Sequence, residues 1–270
     1  MSALVLAGVH LSVAAITDPG LKRPVNEDSF LADGPAFVVA DGMGGYECGE
    51  LASAAVVDAF RACLVGDRFG EFSEVHGALI DADDRVAKIA EGTTRGAGST
   101  ATGAVLVEYE GRPFWLVFNV GDSRVYRHLG SQLEQLTVDH SLGRELVDAG
   151  ELAVGDLATF KDRNVITRAI GASDSLADSW LVPVVNGERL LLCSDGLYGE
   201  VDDESIRAAL TMNGRPESVA SVLVEKAKAH GGRDNITVVV IDVVSGGGDA
   251  RGEYTTGLGA TTPPDDTLQA

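Results

Sequence analysis

The sequence predicts an α+β domain in which helices pack on antiparallel sheet, and three observations carry that expectation. Short β-type runs at 104–108, 114–120, 124–128 and 133–136 follow one another across tight turns, a spacing that joins antiparallel neighbours and leaves no room for crossover helices. Two stretches, 50–64 and 75–90, space their apolar residues at helical intervals, with Leu51, Ala54, Ala55, Val57, Ala59 and Phe60 in the first and Leu79, Val86 and Ile89 in the second. Finally, four acids stand at the ends of apolar runs: Asp41, Asp122, Asp195 and Asp234.

A chain of 270 residues that is 45% hydrophobic can fill a sizeable core, and it reads as one domain over 9–244 with a tail over 245–270. Lys and Arg number 21 against 41 Asp and Glu, a formal charge of -20, which argues against nucleic acid or an anionic membrane as the main partner. The three cysteines, Cys48, Cys63 and Cys193, show no CxxC spacing, as expected of a cytoplasmic protein rather than a disulfide scaffold. The apolar opening over 3–16 has no basic residue before it and is interrupted by His10 and Ser12, so a signal peptide is the weaker reading of it. No apolar run reaches the ~18 residues of a membrane span.

In chain order, a first strand over 9–17 ends at the turn Asp18-Pro19-Gly20. The polar loop holding Arg23, Asn26, Glu27 and Asp28 leads to a central strand, Phe37-Val38-Val39-Ala40, which stops on Asp41-Gly42-Met43-Gly44-Gly45. Beside a metal, Glu27 or Asp28 would orient its ligands and Arg23 would fork onto phosphate. The cluster Asp81, Asp83 and Asp84 reads as a wet helix face. Gly96 to Gly103 is glycine-rich but lacks the Gly-Lys-Ser/Thr ending of a phosphate loop and runs into a strand. Residues 139–182 are weakly periodic, with a short helix at 142–149, and are expected to form a mobile cover beside the site. The sheet resumes at Arg189 and ends over 236–244, after helices at 205–212 and 216–230. From Ser245 the glycine-rich tail reads as linker and disorder, with Thr262 three residues before Asp265 as a candidate phosphorylation motif. The five histidines form no ligand spacing and are expected to be structural or on the surface.

One Asp-Gly pair is usually a turn. Converging carboxylates without matching cations repel one another, and the remedy is a hard divalent ion with oxygen ligands.

Arg23 with Asn26-Glu27-Asp28, Asp41-Gly42-Met43-Gly44-Gly45, Gly98-Ser99-Thr100-Ala101, Gly121-Asp122-Ser123-Arg124, Ser194-Asp195-Gly196-Leu197 and Asp234-Asn235 occur in that order. This ordered set resembles the PP2C-type metal-dependent protein serine/threonine phosphatases in their bacterial form, over roughly residues 9–244. The resemblance implies a four-layer α-β-β-α sandwich with a Mn²⁺ or Mg²⁺ pair, and a third ion in bacterial members, at one end. It implies Asp41 as the bridging ligand, Asp195 and Asp234 on one metal, the Gly42 carbonyl on the other with Glu27 on that metal's waters, and Asp122 with Asp195 at the third position. It also implies Arg23 as the phosphate-binding residue and 139–180 as a flap that influences substrate choice.

The chemistry implied is hydrolysis of phosphoserine and phosphothreonine by direct attack of a metal-bridging hydroxide. No Cys or Ser nucleophile with a partner base is evident, in keeping with that route. Where many eukaryotic relatives carry a histidine after Asp-Gly, this chain has Met43. The expected partners are phosphoproteins of bacterial Ser/Thr kinase pathways, and the chain is expected to act as a monomer. A non-catalytic phosphoprotein-binding module would be favoured by loss of a metal acid, and none is lost. A metal-dependent nuclease would call for a basic face.

Overall fold

Alternating apolar strands and apolar-faced helices assemble into two stacked sheets covered on both outer faces. The computed structural model describes residues 2–44, 48–93, 96–212 and 214–249. Gly45 and the tail threonine Thr262 with Asp265 therefore lie outside the described residues.

The strands are β1 (Ser2–Leu6), β2 (Val9–Asp18), β3 (Asp28–Asp33), β4 (Ala36–Gly44), β5 (Ala97–Ser99), β6 (Ala101–Tyr109), β7 (Arg112–Val120), β8 (Arg124–Leu129), β9 (Gln132–Gln135), β10 (Asp178–Pro183), β11 (Arg189–Cys193) and β12 (Ile236–Ser245). One sheet runs β1-β2-β12-β11-β8-β9 and the other β10-β7-β6-β4-β3, with β5 paired to β4. Every ladder between named strands is antiparallel.

Helices α1 (Cys48–Cys63) and α2 (Phe72–Glu91) cover the second sheet. Helix α2 begins three residues before the apolar spacing predicts, because Glu71 and Glu74 form a reciprocal capping box that satisfies its first amide groups. A short helix α3 (Leu142–Asp148) and a 3₁₀ turn (Val154–Thr159) lie in the segment expected to be a cover. The first sheet is covered by α4 (Asp195–Tyr198), α5 (Asp203–Met212) and α6 (Pro216–His230). Pro216 suits the first turn of α6, where its missing N–H costs nothing.

Burial explains the layering. Phe37, Val39, Trp115, Val117, Leu190 and Ile241 fill the space between the sheets. Val38 and Phe118 of the second sheet share a core with Phe60 of α1 and Val86 of α2, while Leu191 and Val240 of the first sheet share one with Leu223 of α6. Successive residues of β4 thus serve two cores, which is why its sequence is continuously apolar.

Three features differ from the sequence expectation. Ser2–Leu6 adds a strand at the edge of the first sheet. Weak periodicity in 139–182 hides β10, an edge strand paired only with β7 and ending on Pro183, which an edge tolerates. At the other end, the linker expected from Ser245 is still bound to the sheet: Gly248 N–H donates to the Val184 carbonyl at 2.8 Å, and Asn186 N–H donates to the Gly248 carbonyl at 2.9 Å. Among the described residues no helix is long and apolar enough to cross a membrane.

Candidate metal centre

Strand ends from both sheets bring the predicted acids to one end of the sandwich. β4 delivers Asp41, and antiparallel register sets Asp28 of β3 directly opposite it. β11 runs into α4, placing Asp195 at the first position of that helix. Asp122 occupies the turn between β7 and β8, and Asp234 lies two residues before β12.

The Asp41 backbone is pinned on both sides. Its N–H donates to Thr100 Oγ1 at 2.9 Å, and its carbonyl accepts from Thr100 N–H at 2.9 Å and from Ser99 Oγ at 3.1 Å. The quoted Gly98-Ser99-Thr100 stretch is therefore a clamp on the central acid. Gly42 must be glycine, because a Cβ there would collide with the carbonyls of Gly49 and Glu27. A Cβ at Gly49 would strike the Glu27 carboxylate.

The carboxylates raise one another's affinity for protons. Burial, then the charges of Asp28, Asp195, Asp122 and Asp234, holds Asp41 well above the usual range. Burial and the facing Asp195 push Asp122 up to about 8. Asp195 is pushed to about 6 by burial and Asp234. Burial lifts Asp28 to about 7 against hydrogen bonds to Thr237 and Ser194, the second donated by Ser194 Oγ at 2.7 Å. Burial also raises Glu27, with Arg23 opposing it. Asp28, offered by the sequence only as an alternative to Glu27, is thus a buried member of the cluster.

The residues fit divalent cations by two observations. Asp122 Oδ1 and Asp195 Oδ1 are buried without a hydrogen-bond partner, and the donor set of carboxylates with the Gly42 carbonyl is all oxygen, as hard cations require. As they stand, no group of three His, Cys, Asp or Glu side chains among the described residues is closed tightly enough to hold an ion. The fit accordingly rests on donor chemistry and on these orphaned oxygens, to which Asp28 Oδ1 adds a third.

Arg23 lies at the exposed rim, where Nη2 donates to Asp234 Oδ2 at 2.6 Å, with its side chain 49% exposed. The charges of Asp41 and Glu27 also act on it. Asn235 holds the base of this loop, its Oδ1 accepting from Glu27 N–H at 2.8 Å and its Nδ2 donating to the Val25 carbonyl at 3.0 Å. Met43 pairs with Gly98 across the β4–β5 ladder and packs beside that glycine.

On the flank, a cleft of ≈ 490 Å³ opens beside Asp122 and Asp195, walled by Arg144, Leu157 and Arg163 of the covering segment. Its floor was not anticipated. Asp139 takes a bidentate grip from Arg124, with Nε to Oδ1 at 3.0 Å and Nη2 to Oδ2 at 2.6 Å, and the Arg124 guanidinium lies 3.6 Å above the Tyr198 ring. Tyr198 OH donates to the Asp122 carbonyl at 2.9 Å. The available signal was the triplet Asp139-His140-Ser141, which follows β9 as Asp122 and Asp195 follow their strands.

The family model described as Protein phosphatase 2C matches residues 24–219. The chain is 32% identical over 249 residues to the serine/threonine phosphatase stp of Listeria monocytogenes, covering 87% of this chain and 97% of that protein. Among solved structures, the serine/threonine phosphatase PstP/Ppp of Mycobacterium tuberculosis superposes with a TM-score of 0.80 at 32% identity, covering 88% of this chain and all (100%) of the other. The catalytic domain of PstP in complex with two manganese ions gives a TM-score of 0.78 at 32% identity, covering 88% and 99% of the two chains. This chain belongs to the protein phosphatase 2C family.

Proposed function

We propose that this chain is a metal-dependent protein serine/threonine phosphatase that hydrolyses phosphoserine and phosphothreonine by direct attack of water-derived hydroxide on phosphorus. The observation that carries the reading is the convergence of Asp41, Asp122, Asp195, Asp234 and Glu27 beneath Arg23, with buried carboxylate oxygens that no protein group satisfies. Asp41, Asp195 and Asp234 would hold one cation, Asp41 and the Gly42 carbonyl a second with Glu27 on its waters, and Asp122 with Asp195 a third. When bound, Mn²⁺ or Mg²⁺ supplies positive charge to the phosphoryl oxygens and acidifies water for attack.

The remaining chemistry belongs to the chain's own side chains. Arg23 would present its planar fork to two phosphoryl oxygens, trading the Asp234 contact for the substrate. Ser99 and Thr100 hold the Asp41 backbone still while that exchange occurs. Met43 has no proton to give, so the departing seryl or threonyl oxygen takes its proton from water. A cysteinyl phosphoenzyme is disfavoured, since burial raises the Cys193 thiol and the Cys63 thiol above the ordinary value.

Residues 9–244 would form the phosphatase domain, with 139–180 as a flap bordering the cleft and 245–270 as a tail. A cytoplasmic monomer acting on phosphoproteins, and so opposing Ser/Thr kinases, is the setting this reading implies. The test is phosphate release from phosphoserine and phosphothreonine peptides with Mn²⁺, with Mg²⁺ and with chelator. Turnover that persists in excess chelator would overturn the proposal.

A further inference from the structure

His140 closes the turn that carries Asp122. It is 5% exposed, and its N–H donates to the Gly121 carbonyl at 2.9 Å. In return, Gly121 N–H donates to the imidazole Nδ1 at 3.2 Å. Gly121 itself has φ +104, and a Cβ there would lie 2.6 Å from Thr100 Cγ2. Asn119 Nδ2 and Tyr198 OH also hold the turn, donating to the carbonyls of Gly121 and Asp122 at 2.9 Å each, but the Gly121 N–H is taken by His140.

The far side of the ring faces the other end of the covering segment. Nε2 lies 3.2 Å from Asp178 Oδ2 at the start of β10, and Arg168 Nη1 donates to Asp178 Oδ1 at 3.0 Å. Arg168 Nη1 also stands 3.4 Å from Nε2, a contact of two donors sharing one carboxylate. The His140 carbonyl accepts from Thr167 N–H at 3.0 Å. A backbone N–H can point at Nδ1 only where that nitrogen keeps its lone pair, so the ring is neutral with its proton on Nε2, donated to Asp178.

We propose that His140 is a positioning residue for the metal centre: through Nδ1 it fixes the Gly121 turn and hence the aim of the Asp122 carboxylate, and through Asp178 it takes its tautomer from the strand that ends the covering segment. The inference rests on the reading of Asp122 as a cation ligand. Asp178→Asn separates tautomer from packing. Arg168 keeps the remaining oxygen, the new amide NH₂ turns toward Nε2, and the ring proton is driven to Nδ1, where it opposes the Gly121 N–H.

The test uses the full chain labelled with ¹⁵N. Amide exchange at Gly121 and the imidazole tautomer are read by NMR in chelator, and Mn²⁺ affinity is read by calorimetry. Asn carries an acceptor near the position of Nδ1, whereas the amide of Gln reaches only toward that of Nε2. His140→Asn is expected to keep the Gly121 amide protected and Mn²⁺ affinity close to that of the parent. His140→Gln and Asp178→Asn are expected to expose that amide and weaken Mn²⁺ by about 10- to 100-fold, the usual consequence of losing a group that orients a ligand. The same behaviour in the Asn and Gln variants, or a proton still on Nε2 in Asp178→Asn, overturns the proposal. Asp122→Ala is the control: unchanged Mn²⁺ affinity there removes the assignment of Asp122, while Gly121 exchange still decides the role of His140.

Discussion

Arg23 Nη2 and Asp234 Oδ2 meet at 2.6 Å across 211 positions of sequence, so the side chain best placed to take a phosphoryl group is held by one of the acids assigned to the metals. Substrate and carboxylate therefore compete for one guanidinium. Hydrogen bonds to charged groups contribute roughly 1.5–3 kcal/mol. Arg23→Ala should accordingly lower kcat/KM for phosphopeptides by about 10- to 100-fold, chiefly through KM. Arg23→Lys should recover only part of this, because a point charge cannot span two oxygens. Steady-state kinetics on both variants checks it, and an unchanged KM in Arg23→Ala rejects the assignment.

Asp41 faces four other carboxylates, so its replacement should separate activity from folding. Asp41→Asn removes a charge that repels Asp28 and Asp195, and the chelated variant should melt no lower than the parent at about pH 8. Its Mn²⁺-dependent turnover should fall by about 10³-fold or more, since several kcal/mol of transition-state stabilisation is at stake. Calorimetry and a peptide assay measure the two halves. Full activity in this variant removes Asp41 from the bridging role.

The buried acids also set how stability depends on pH without metal. Asp195, Asp28 and Asp122 are raised to about 6, about 7 and about 8, above the ~3.9 of an unfolded aspartate. The folded chain binds more protons across that window, so this contribution is complete below about pH 4 and is lost as pH rises through the folded values. In chelator, Tm should fall between about pH 5 and about pH 8. Saturating Mn²⁺ should flatten the fall and release protons on binding, since ligands must be deprotonated. A chelated Tm that rises over this range contradicts the cluster described here.

Met43 supports a prediction about the leaving group. An aryl phosphate expels a stable phenolate, whereas phosphoserine expels a basic alkoxide that benefits from a positioned acid. Met43→His should raise kcat on phosphoserine peptide relative to aryl phosphate by up to ~10²-fold. An unchanged ratio, or equal loss on both substrates, would show that Met43 only packs beside Gly98 and that the proton comes from elsewhere.

Much of the fold was legible because its signals are local. The tight turns between β6, β7, β8 and β9 announced antiparallel sheet, and the ranges expected for α2, α5 and α6 agree with the helices to within a few residues. β10 was not legible: an edge strand paired with one neighbour carries no sustained apolar alternation, and its identity depends on β7, some sixty residues earlier. His140 was set aside for the same kind of reason. A lone histidine has no meaningful spacing, and its role appears only when Gly121 and Asp178 are brought to its two ring nitrogens.

By itself, the sequence determined the kinds of groups at the site, the order of the motifs and their positions at strand ends, since turn glycines and apolar runs are local properties of the chain. Only the tertiary structure decided who faces whom. It set Asp28 opposite Asp41, joined Ser194 to Asp28, and left Asp122 Oδ1 and Asp195 Oδ1 buried without partners. Those relationships follow from the register and stacking of two sheets. Both are fixed by burial of Trp115, Phe37, Leu190 and the rest of the shared core, whose energy depends on contacts far apart in sequence.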